Sequence, residues 1–129
     1  MGLFKVRVQV ADMAAATMTL GDKIELLVDT GATYTSLPHD LLVRHGVPKL
    51  GKIKVKLANG KWVTKETGNV ILKVDGKLVG STVLFCTGTD VPVLGATTLE
   101  LASLAVDPVG KRLVPTIAIQ AQATTPLDE

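Results

Sequence analysis

Cysteine, histidine and aromatic residues are all scarce in this chain: 129 residues include one Cys, two His, one Trp, one Tyr and two Phe. A single cysteine, Cys86, excludes an intrachain disulfide framework and favours a reducing, cytoplasmic setting, with the thiol as a small buried hydrophobe. His39 and His45 stand at no recognised ligand spacing and read as surface helix residues, so no metal or other cofactor is expected. With so few aromatics, the core has to come from Val, Leu, Ile and Ala. Long apolar runs are also missing. None approaches the roughly 18 residues that would suggest a membrane span, and no membrane partner is expected. The N-terminus alternates Phe4, Val6, Val8 and Val10 with Lys5, Arg7 and Gln9, which reads as a strand rather than a signal peptide. Met1-Gly2 opens like a myristoylation signal, but Val6 stands where that signal requires Ser or Thr.

What is present fits one folded unit. Apolar residues at 47% and charged residues at 20% suit a globular chain rather than a disordered one, and the length suits a single core. One domain over residues 1–119 is expected, followed by a mobile tail at 120–129, where periodicity stops. Overall charge is only +2, yet residues 44–77 hold Arg44 and eight lysines against Glu66 and Asp75, a local excess of +7. Lys52, Lys54 and Lys56 alternate with Ile53, Val55 and Leu57, the period of a half-exposed strand. A solvated face explains these lysines most simply; a site for acidic peptides or nucleic acid is the alternative.

Period-two patterning predicts strands near 3–10, 14–20, 23–28, 34–37, 52–57, 61–74, 77–86, 91–94, 104–106 and 112–119. Gly21-Asp22, Asn59-Gly60 and Asp75-Gly76 are hairpin signals, because these residues tolerate the positive φ of tight turns. Two short helices are expected. One runs over Pro38–His45, with Pro at its start, Leu41 and Leu42 as a buried pair and Gly46 as a stop; the other runs from Ala96 to Ser103. No internal repeat or phosphate loop is present.

Leu26-Leu27-Val28-Asp29-Thr30-Gly31-Ala32-Thr33 is the segment that demands a chemical account. It places a carboxylate at the end of an apolar run, where an unpaired buried charge costs several kcal/mol or more, roughly, unless a partner or shared proton offsets it. Thr30 offers a bracing hydroxyl, and Gly31 lets the chain turn while another backbone approaches. Taken alone, Asp-Thr-Gly is equally consistent with a plain β-turn.

The surroundings of Asp29 resemble the retropepsin-like aspartic proteases. Val28 through Leu37 follows that family's order of apolar residue, Asp-Thr-Gly-Ala and then a further apolar residue. Val93-Leu94-Gly95-Ala96-Thr97-Thr98-Leu99 is similar to its second signature, an apolar pair and Gly leading into a helix. Between them, Val55-Lys56-Leu57-Ala58-Asn59-Gly60-Lys61-Trp62-Val63 stands where the family has a flap hairpin. The resemblance covers residues 23 to 107 and looks most like bacterial single-domain members.

It implies a mostly β, retropepsin-like acid protease half-barrel with a flap hairpin and one or two short helices, completed as a homodimer. It further implies a peptide or protein substrate, with Asp29, Thr30 and Gly31 as the catalytic set. Ala32, Thr33, Ala58, Asn59, Gly60, Lys61, Trp62 and Leu94 would contact substrate. Trp62 is open to two readings, as a cover for a substrate side chain or as a core or lid anchor. On this resemblance the Asp29 pair shares one proton and Thr30 bonds across the two-fold axis. Ala32 has no hydroxyl to offer an ionised carboxylate, so a mildly acidic to near-neutral optimum is expected. Two departures from the family pattern stand out: Ala96 replaces an Arg frequent in retroviral members, and a further strand follows the last helix. A non-catalytic peptide-binding dimer is the alternative function, and nucleic acid is not an expected partner.

Overall fold

In the computed structural model, residues 3–12 and 19–119 are described. The elements in order are β1 (Lys5–Asp12), β2 (Thr19–Val28), β3 (Thr35–Leu37), α1 (His39–Arg44), β4 (Gly51–Lys56), β5 (Trp62–Val74), β6 (Lys77–Phe85), β7 (Val93–Leu94), α2 (Ala96–Leu101), β8 (Leu104–Asp107) and β9 (Arg112–Pro115). Seven strands form one mixed sheet in the order β1-β2-β7-β3-β6-β5-β4, and β8 and β9 pair separately. β1 also pairs with β5 through Val8↔Val74, Gln9↔Lys73 and Val10↔Leu72. The sheet therefore curls until its first strand meets its sixth, and β4 is left outside as the free flank of a hairpin. This is the mostly β architecture that the period-two pattern predicts, in the half-barrel form that the resemblance implies.

Alternation explains the core. Val8 and Val10 on β1, Leu26 and Val28 on β2, Val70, Leu72 and Val74 on β5, and Val83 and Phe85 on β6 all point inward. Each such side chain contributes roughly 1.5–3 kcal/mol on burial. α1 inserts Leu41 and Leu42 beneath the same layer. The expectation of a Val, Leu, Ile and Ala core needs adjusting for Ile alone: the core is Val and Leu around Phe85 with Ala11 and Ala102 also buried, and no Ile is fully buried among the described residues.

Local signals and tertiary contacts disagree at three places. Asn59-Gly60 and Asp75-Gly76 turn as expected, with Gly60 at φ +85° and the pair Asp75 and Gly76 at +49° and +80°. Gly21-Asp22 does not turn. It lies inside β2, where Gln9 pairs with Lys23 but Ala11 pairs with Leu20, so β2 carries one extra residue as a bulge. Gly21 is there for space: a Cβ would lie 2.2 Å from His45 Cε1 and 3.0 Å from the Val10 carbonyl oxygen. His45 and His39 are accordingly half-buried rather than on the surface, and His39 packs edge-on to Phe85 at 5.7 Å.

The last expected strand is also shorter, ending at Pro115. Ile117 and Ile119 are 87% and 90% exposed, so their apolar period finds nothing to pack against among the described residues. Residues 14–18 of the expected second strand, and the expected tail at 120–129, lie outside the described residues.

If the closed sheet is the source of stability, Leu26→Ala should cost about 2–5 kcal/mol in denaturant unfolding. A loss below about 1 kcal/mol would mean that this layer is not packed as described.

Candidate active site

Asp29 is held by its backbone before its side chain does anything. β7 lies between β2 and β3, parallel to β2 through Leu27↔Val93 and Val28↔Leu94 and antiparallel to β3 through Ser36↔Val93. The Asp29 N–H donates to the Leu94 carbonyl at 3.0 Å, extending that ladder by one bond, and the Ala32 N–H closes the turn on the Asp29 carbonyl at 3.1 Å. One carboxylate oxygen, Oδ1, accepts the Gly31 N–H at 3.0 Å. A Cβ at Gly31 would stand 3.2 Å from that oxygen, a tight contact that the carboxylate would have to relieve by shifting a few tenths of an ångström.

The helix that follows β7 is capped by this same loop. Nothing in the side chain of Gly95, the residue before α2, can cap it. The Ala96 N–H donates instead to the Ala32 carbonyl at 2.8 Å and the Thr97 N–H to the Thr33 carbonyl at 2.9 Å. Two amides that a helix start leaves unpaired are thus satisfied by the Asp29 loop. Such an approach leaves no room for a side chain at 95, where a Cβ would lie 2.5 Å from the Tyr34 carbonyl carbon and oxygen.

A buried chain of hydroxyls locks the arrangement. The Gly95 N–H donates to Thr35 Oγ1 at 2.9 Å; Thr35 Oγ1 lies 2.6 Å from Thr98 Oγ1, which lies 2.9 Å from Ser81 Oγ. Because Thr35 accepts from the amide, its own proton is free for Thr98. All three hydroxyl residues are buried, where an unmade bond would cost about 1–3 kcal/mol.

A cleft of about 560 Å³ opens beside the loop. Gly31, Ala32, Thr33, Tyr34 and Ser36 contribute one part of its lining, and Lys54, Val55, Lys56, Leu57, Trp62 and Lys65 of the β4–β5 hairpin another. Leu84, Phe85, Asp90, Val91 and Val93 complete it. A second hollow of about 440 Å³, bordered by Asn69, Ile71, Ser81 and Leu101, carries no charged side chain and none of Asp29, Thr30 and Gly31.

Sequence-predicted site residues distribute unevenly over this geometry. Gly31, Ala32, Thr33 and Trp62 line the cleft, and Trp62 is 65% exposed, which is not the packing of a core residue. Asp29 is half-buried and Thr30 is exposed, with no partner for its hydroxyl among the described residues. Ala58, Asn59, Gly60 and Lys61 form the exposed hairpin turn, outside the cleft lining, where Asn59 Oδ1 accepts the Lys61 N–H at 2.9 Å. Leu94 is fully buried. Its side chain projects from the sheet into the hydrophobic core, and its carbonyl accepts the Asp29 N–H.

Pattern reading missed the pair Lys65 and Asp90. Lys65 Nζ is bonded to Asp90 Oδ2 and donates to Thr87 Oγ1 at 2.7 Å, while the Thr87 N–H donates to Asp90 Oδ2 at 2.9 Å. No local signal links residues 25 apart. Partial burial pushes the Asp90 carboxyl upward, but the bonds from Lys65 and Thr87 together outweigh it and hold Asp90 below its ordinary value of 3.8. Next to this pair, burial raises the Cys86 thiol above its ordinary range, against a weaker opposing pull from Ser36; the thiol stays protonated at neutral pH and inert.

A strand-held Asp-Thr-Gly loop, braced by a second apolar-Gly-helix unit beside a cleft roofed by a hairpin, defines an acid-protease type of fold. Residues 15–101 match the family described as gag-polyprotein putative aspartyl protease, and the chain belongs to that family. No curated protein matches it. No cluster of His, Cys, Asp and Glu able to hold a metal occurs among the described residues, and no helix among them is long and apolar enough to cross a membrane.

Because the folded-state value of Asp90 is lowered, its stabilising contribution is complete above the ordinary carboxylate value and fades as pH falls through the lowered one. The difference in unfolding free energy between wild type and Asp90→Asn should be flat from neutral pH to about pH 4 and shrink below it. A difference that grows on acidification would contradict the assignment.

Proposed function

We propose that this protein is an aspartic endopeptidase whose active site forms when two copies of the chain bring their Asp29 residues together. The observation that carries this reading is the state of Asp29: one carboxylate oxygen is fixed by Gly31, the other has no partner among the described residues, and the loop borders a cleft of about 560 Å³. Membership of an aspartyl protease family supports it. An exposed Thr30 with an unengaged hydroxyl is suited to bonding across a two-fold axis, which would hold the carboxylates coplanar.

Two carboxylates about 3 Å apart cannot both ionise cheaply, so they share a proton. The ionised one takes a proton from water as the water oxygen attacks the scissile carbonyl carbon, and the protonated one gives its proton to the carbonyl oxygen, so a neutral gem-diol forms. In its collapse the carboxyl that took the water's proton passes it to the amide nitrogen, the other carboxylate takes the proton of a diol hydroxyl, and the C–N bond breaks. In this reading, the turn residues Ala58 to Lys61 close over an extended peptide, and Trp62 covers one of its side chains. Buried, unpaired Cys86 suits the cytoplasmic setting that belongs to the same reading and that cell fractionation would check.

Peptide cleavage should vanish in Asp29→Asn, be blocked by a pepstatin-like transition-state mimic, and peak at mildly acidic to near-neutral pH. Cleavage retained in Asp29→Asn would remove Asp29 from the mechanism, and a peak below about pH 3 would contradict the role given to Ala32. Dimers that bind peptide and cleave nothing would favour the non-catalytic module.

A further inference from the structure

The lysines of the basic segment are not equivalent. Lys49 pairs with Glu66 at 3.2 Å, Lys65 with Asp90, and Lys77 donates to the Ser103 carbonyl at 3.4 Å. Lys54 and Lys56 have no carboxylate partner among the described residues, and both line the cleft. Lys56 Nζ stands 5.9 Å from the centre of the Trp62 ring, so one charge is parked over an exposed aromatic face. The only acidic side chain in the lining, Asp90, is already committed to Lys65 and Thr87. This cleft therefore carries an uncompensated positive charge along one wall.

That wall has a definite spacing. Lys54 and Lys56 are alternate residues of β4, so they project from the same face of the strand, roughly 6.5–7 Å apart along it. An extended peptide repeats its side chains at the same interval. Around the lysines the lining is apolar and accessible, with Trp62, Val91 and Leu57 at 65%, 63% and 40% exposure, which suits peptide side chains better than a phosphate backbone.

We propose that the cleft selects extended peptides carrying two carboxylate side chains at alternate positions, seated on Lys54 and Lys56, with an apolar side chain against Trp62. The proposal rests on the reading of the cleft as a peptide site. The simpler role for such lysines, keeping an edge strand from pairing with other chains, requires no charge preference in a ligand, so the two accounts separate experimentally.

The test uses fluorescent peptides that differ only at those two positions: Glu-x-Glu, Gln-x-Gln and Lys-x-Lys. Binding is read by anisotropy on the full-length Asp29→Asn chain and cleavage on wild type. At about 0.01 M salt the diacid should bind about three- to tenfold tighter than the diamide, as two exposed ion pairs allow, and the gap should close near 1 M. Lys54→Gln/Lys56→Gln should abolish the preference for the diacid over the diamide. Equal affinities, tighter binding of the dilysine peptide, or no peptide binding at all would overturn the proposal. So would an oligonucleotide of equal charge that outcompetes the diacid. Cleavage without charge preference would sink this inference and leave the protease reading standing; diacid-selective binding without cleavage would do the reverse.

Discussion

The placement of β7 between β2 and β3 is the constraint on which the site depends. Only Val93 and Leu94 make up this strand, yet it supplies the carbonyl that anchors Asp29, the strand partner of Ser36, and the lead into Gly95 and α2. Consecutive strands β2 and β3 are thereby kept apart, and the loop between them, residues 29–34, is forced outward. Its carbonyls are then spent on capping α2, and the hydroxyls of Thr35, Thr98 and Ser81 fill the buried gap that would otherwise hold unmet polar groups. The carboxylate is a passenger on this framework: its position follows from main-chain bonds, which leaves its outer oxygen available for chemistry.

Much of this was legible in the residues, and for identifiable reasons. β1, β4, β5 and β6 each have one wet face, so their alternation is written plainly in Val8 and Val10 against Arg7, or Ile53 and Val55 against Lys52 and Lys54. Asp29, Gly31 and Gly95 were legible because they stand in two short motifs whose order resembles that of a known family, although the space demanded at Gly95 comes from Tyr34, far away in sequence. Gly21-Asp22 misled because the turn signal is local while the bulge exists to make room for His45, 24 positions away in sequence. Ile117 and Ile119 misled because apolar alternation implies a partner surface, and none covers them among the described residues. Sequence order places Leu94 beside the site, and in the fold its side chain lies in the core while its carbonyl holds Asp29.

The walls of the cleft were the least legible part. Lys65 and Asp90 are exposed-looking residues on separate elements, brought together only when β5 and the segment before β7 meet. Their pairing has a chemical consequence, since it neutralises Asp90, the one acidic side chain of the lining. What remains is an apolar cleft with positive charge on the hairpin side and a carboxylate loop beside it. In the proposed reading this scaffold is complete in one chain, and the second carboxylate comes from another copy.

Mixing wild-type chains with inactive Asp29→Asn chains tests that claim most directly. If each site needs one Asp29 from each of two copies, and subunits exchange freely, activity at fixed total protein should fall as the square of the wild-type fraction. A fall in simple proportion to the wild-type fraction would mean that one chain carries a complete site, and the shared-carboxylate account would be wrong.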